Sequence, residues 1–66
     1  MDVRAEAIDH FEKMISVRKS ALAEAAFGQD VLWINLCNVY RVPEQGRSEL
    51  RTYIREHYRT DGRPRD

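Results

Sequence analysis

Residues 31–42 read VLWINLCNVYRV, and the assignment of this stretch decides the fold. Nine of its twelve residues are apolar or aromatic, and only Asn35, Asn38 and Arg41 interrupt it. Those three polar residues recur every third position, which places them on one stripe of a helix rather than one face of a strand. The stretch is therefore expected to be a short, mostly buried helix that the neighbouring segments wrap. Leu32, Leu36 and Val39 line one face of it, and Trp33, Cys37 and Tyr40 line the next. Two adjacent apolar faces exceed what one neighbouring helix covers, so the surplus calls for a further packing partner: another helix, a second copy or a target protein.

Outward from this helix, Gly28, Gln29 and Asp30 form a tight connection, with Asp30 as the expected cap. Such a short link implies an antiparallel αα-hairpin. Before it, the spacing predicts one long helix from Val3 to about Phe27, capped by Asp2 and stopped at Gly28. Ile8, Phe11, Ile15 and Leu22 recur on a heptad-like seam, flanked by the small residues Ala7 and Ala21. These four residues are the expected dimer seam. Arg18 interrupts it, either by carrying its stem past the core or by meeting an acidic group of a second chain. Glu6, Asp9 and Lys13 sit at helical pairing distance on the opposite, solvated face.

After it, Pro43 ends the apolar helix, and a third helix runs to about Arg59, beginning at Pro43 or after Ser48. Leu50, Tyr53, Ile54, His57 and Tyr58 make its apolar stripe. Opposite that stripe Arg47, Arg51, Arg55 and Arg59 are expected, recurring every four residues. A row of guanidinium groups suits phosphates or carboxylates, although Glu44, Glu49 and Glu56 partly neutralise it. Trp33, Tyr40 and Arg41 join this row as candidate partner contacts, because aromatic and arginine side chains anchor interfaces. Core packing is the competing role for Tyr40, and an exposed stripe or a register-fixing buried pair are the two roles for Asn35 and Asn38. The tail from Asp61 to Asp66, with Gly62, Pro64 and two arginines, reads as disordered.

Composition bounds the rest. A chain of 66 residues hides only about 60% of its unfolded surface, so a single domain (residues 1–60) usually needs reinforcement. Cys37 is the only cysteine, which closes the disulfide route and suits a reducing cytoplasm. His10 and His57 show no metal-ligand spacing, and no cofactor or metal is expected. A homodimer is what remains. The expected architecture is all-α, three helices as a hairpin completed by homodimerisation into a bundle. No signal peptide and no membrane span are expected.

Eleven basic residues balance eleven acidic ones, so no global field draws the chain to nucleic acid or anionic lipid. Residues 1–40 carry four Lys/Arg against six Asp/Glu, and residues 41–66 carry seven against five. An enzyme would need a nucleophile with a base, paired carboxylates or a metal set, and Cys37 with His57 is the sole conceivable pair. We therefore expect a non-enzymatic interaction protein that binds and modulates another protein. The alternative is a small DNA- or RNA-binding regulator using the arginine row, against which stand the apolar 31–42 helix and the neutral charge. In size, arginine content and helical pattern the chain resembles the compact accessory proteins of bacteriophages and mobile elements. That resemblance of type implies inhibition of a host regulator and assigns no residue a role.

Overall fold

The computed structural model describes residues 2–65, and Met1 and Asp66 lie outside them. Its elements are α1 (Val3–Glu12), α2 (Ser16–Ala26), α3 (Asp30–Val39), a single 3₁₀ turn (Glu44–Gly46) and α4 (Arg47–His57). Among the described residues the fold is all-helical, as expected, but with four α-helices instead of three.

The expected long helix is broken. Asp2 caps α1 by accepting from the Arg4 amide at 3.0 Å. The helix then stops at Glu12, and Ile15 adopts an extended conformation before α2 begins. A continuous helix from Val3 to Phe27 would be about 37 Å long, whereas the molecule's longest extent is 29 Å. Breaking at residues 13–15 lets both halves face one core. Phe11 of α1 and Leu22, Ala23, Ala25 and Ala26 of α2 are all fully buried together with Leu50 and Ile54 of α4. The alanines admit close approach, and α2 packs directly on both α3 and α4. Gln29, not Asp30, occupies the capping position of α3, because the Asp30 carboxylate is taken by Arg51.

This arrangement corrects the expected seam on the first helix. Phe11 and Leu22 are fully buried inside the chain and Ile8 is half-buried against the same core, so these three close the monomer. Of the four only Ile15 is exposed. The accessible surface is 4544 Å², close to the about 4,400 Å² expected of a compact monomer of this mass.

Two close approaches lock the helices. A Cβ at Gly46 would lie 2.3 Å from the Val3 carbonyl oxygen and 2.7 Å from the Ala7 Cβ, so only glycine lets the 3₁₀ turn pass under α1. The segment after α4 is likewise placed against the body. Where composition suggested a disordered tail, residues 59–65 close a turn in which the Arg59 amide donates to the Arg63 carbonyl and Tyr58 pairs with Pro64. Ser20 Oγ donates to the Asp61 carbonyl at 2.6 Å. Gly62, at φ +83°, passes so near Ser20 that a Cβ would sit 2.8 Å from its Cα. Tyr58 anchors the turn from inside: its ring meets Phe11 edge-on at 5.1 Å, and its hydroxyl donates to Glu12.

Candidate docking surface

α3 divides its apolar residues between two faces. Trp33 and Cys37 turn inward and are buried, with Leu36 and Tyr40 half-buried beside them. Burial pushes the Cys37 thiol up from its usual 9.0 to about 11. It is therefore a protonated packing group at neutral pH, not a thiolate nucleophile. His57, the base that sequence paired with it, is exposed and lies against Tyr53 with ring centroids 4.5 Å apart.

The opposite face of α3 points to solvent. Val31, Leu32, Ile34 and Val39 are 68%, 44%, 50% and 66% exposed, and Asn35 and Asn38 lie among them. At 100° per residue these six side chains occupy one continuous band. None is charged. Scattered exposed aliphatics need no explanation, but four on one ten-residue helix form a contiguous patch of the kind that marks contact sites. Asn35 and Asn38 are thus the outward stripe, and the surplus apolar face read from the sequence is real.

A helix-end motif fixes the far end of this band. The Val42 amide donates to the Cys37 carbonyl at 2.9 Å and the Arg41 amide to the Asn38 carbonyl at 3.2 Å, the paired bonds of a Schellman ending. Arg41 takes the left-handed position at φ 57°, where glycine is usual, and its side chain is exposed. Tyr40 contributes its carbonyl to His10 Nε2, which donates at 2.7 Å and ties α1 to this end.

The arginine row faces elsewhere. Arg51 Nε donates to the Ala26 carbonyl (3.0 Å), Nη2 to the Gly28 carbonyl (2.7 Å) and Nη1 to Asp30 Oδ1 (2.6 Å). Arg55 Nε donates to the same Ala26 carbonyl at 2.7 Å. Arg47 reaches the Val42 carbonyl with Nε and Nη2 (3.1 and 3.0 Å) and Asn38 Oδ1 with Nη1 (2.8 Å). The last carbonyls of a helix lack amide partners and carry its negative dipole end. Arg51 and Arg55 therefore cap α2, and Arg47 holds the loop after α3. The partners of these three arginines are backbone carbonyls, Asn38 and Asp30 of this chain. Arg51 also lies 5.9 Å over the buried Trp33 ring, and its hydrogen bond and charge hold the Asp30 carboxyl below the usual carboxylate range. Arg59 follows α4, exposed, within the closed turn.

Of the residues singled out as partner contacts, Arg41 lies just past the end of the exposed band and Arg47 touches it through Asn38. Trp33 lies beneath the band with Tyr40 half-buried on the same inner side, and Arg51 and Arg55 are engaged at the end of α2. Sequence reasoning placed Leu32 and Val39 on one of two apolar faces and assigned Val31 and Ile34 to neither. The signal for them was the Asn35–Asn38 spacing, which marks the stripe they flank. Among the described residues no helix is long and apolar enough to cross a membrane. In comparisons with known proteins the chain matches no family model, no curated protein and no solved structure.

Proposed function

We propose that this chain is a small interaction protein that binds another protein through the outward face of α3 and modulates it. The observation that carries this reading is the uncharged band of four exposed aliphatics around Asn35 and Asn38, on a helix whose inner face is already fully used. A partner groove receives such a helix by its aliphatic anchors, with the asparagine amides fixing register. Inhibition of a host regulator in the cytoplasm, as by a phage or mobile-element accessory protein, is one form such modulation takes.

The test is capture from bacterial lysate by the tagged full chain, with and without nuclease, beside an Ile34→Glu variant. Retention of a discrete protein after nuclease, lost in Ile34→Glu, is the expected result. Equal capture by both chains would remove α3 from the account.

One observation favours a second reading, a nucleic-acid regulator. α2 and α3 are joined through residues 27–29, including Gly28, and α3 lies outermost, as the reading helix does in helix-turn-helix proteins. Exposed asparagines suit adenine edges. Against it, none of the six band residues is a cation, and the Arg47, Arg51 and Arg55 guanidiniums already bond acceptors of this chain. Nucleic acid recovered by the wild type, released by salt and lost in Asn35→Ala/Asn38→Ala, would put this reading first.

A further inference from the structure

We infer that the occupant of the α3 face is a second copy of this chain, the two α3 helices packing antiparallel about a two-fold axis near Asn35. The inference rests on the docking-surface reading above and names its partner.

A two-fold interface sets one patch against itself, so every group in it must find its complement within the same patch. The α3 band meets that condition. Val31, Leu32, Ile34 and Val39 require only other aliphatics. Asn35 carries both a donor and an acceptor, so its amide can pair with its own copy, while Asn38 Oδ1 already accepts from Arg47. A band with unbalanced charge would repel itself, and this one has none.

The charges sit at the ends, and they choose the direction. Asp30, at the N-terminal end of α3, keeps 83% of its side chain exposed despite its bond to Arg51. Arg41, just past the C-terminal end, is exposed and held in place by the Schellman ending. Antiparallel pairing sets Asp30 of each chain opposite Arg41 of the other, twice by symmetry. It also opposes the helix dipoles favourably. Parallel pairing would bring like charges together at both ends. Setting Asp30 opposite Arg41 puts the axis between Asn35 and Leu36. Asn35 then meets its own copy, and a polar pair at the centre of an apolar seam fixes register.

The pair is weak. One face of a ten-residue helix offers less than the roughly 800 Å² per partner of a standard interface, which points to a dissociation constant of about 10–100 µM. The monomer core is closed without it, so association and folding are separable.

Sedimentation of the full chain, from well below to well above that range, tests the inference. The expected weight-average mass rises from 7.8 kDa toward twice that value. Asn35→Lys alone and Asn35→Glu alone stay monomeric, because each brings like charges together at the axis, and an equal mixture of the two recovers the doubled mass. Asn35 is exposed, so both variants keep the wild-type circular dichroism. A wild type that remains at 7.8 kDa throughout overturns the inference. If Ile34→Glu then still abolishes capture of a nuclease-resistant protein, the docking surface stands and its occupant is a different protein; if capture is unchanged, that reading fails as well. A dimer that both single variants leave intact lies on another surface, and monomeric variants whose mixture does not reassociate exclude the antiparallel geometry. Either result overturns the inference.

Discussion

α4 and the outer half of α3 invert the usual division of labour between charge and oil. The arginines of α4 spend their donors on the carbonyls of Ala26, Gly28 and Val42 inside the molecule, while four aliphatics of α3 stand in water. Arginine tolerates the first arrangement because its stem packs while its planar head satisfies several acceptors. The second has no such internal compensation, and a patch left unsatisfied by the fold is the one available to something outside it. Three arginines of a row that looks functional bond acceptors of their own chain, and the apolar run that looks like core has an exposed side.

The contrast breaks most visibly at Arg51. Removing it leaves the Ala26 and Gly28 carbonyls without those bonds. Arg51→Ala should cost about 2–3 kcal/mol in urea unfolding, with Arg51→Lys recovering only part, since a point charge cannot reach three acceptors. Reversing charge with Arg51→Glu/Arg55→Glu should abolish cooperative folding, so loss of binding by that variant would say nothing about an interface.

Raising pH tests the inner half of α3. Cys37 keeps its proton to about 11 when folded and to its usual 9.0 when unfolded. Tyr58 is also pushed up, by burial first and then by its hydrogen bond to Glu12. In that window the unfolded chain binds fewer protons, so stability is complete below pH 9 and falls as pH rises toward 11, by an amount on the order of 2 kcal/mol. Cys37→Ala should flatten the start of that decline in a pH series of urea midpoints.

A smaller effect of opposite sign is expected at the border of the two regions. Arg41→Gly relieves the left-handed backbone at φ 57° and should raise monomer stability by about 0.5–1 kcal/mol, while weakening association of the chains. The smallest effect belongs to the outer face itself. Val31→Ser or Ile34→Ser should change the urea midpoint of dilute monomer by about 0.5 kcal/mol or less. A large loss there would mean that the face is packed in the free chain.

These two regions also show what sequence can and cannot carry. The Asp2 cap, the stop before Gly28 and the double-faced character of residues 31–39 are local, and each was legible. The break after Glu12 was not, because the apolar spacing of Ile8, Phe11, Ile15 and Leu22 continues across it. Only the need to bring Phe11 and Leu22 onto one α4 helix interrupts the chain. The β-branched run Ile15-Ser16-Val17 is the one local hint, since such residues and serine favour helix ends over helix interiors. The arginine row was legible as a row. Its direction was not, because an i+4 spacing fixes a common face of α4 without saying which carbonyls that face will meet.

The single tryptophan, Trp33, lies under α3 and within 5.9 Å of the Arg51 guanidinium. Its emission therefore reports whether α3 is seated on the body and is blind to whatever touches the other side of that helix. The molecule carries an intrinsic optical probe on one side of α3 and its exposed aliphatic band on the other, so a spectrum and a hydrodynamic radius from one sample read seating and any assembly as independent signals.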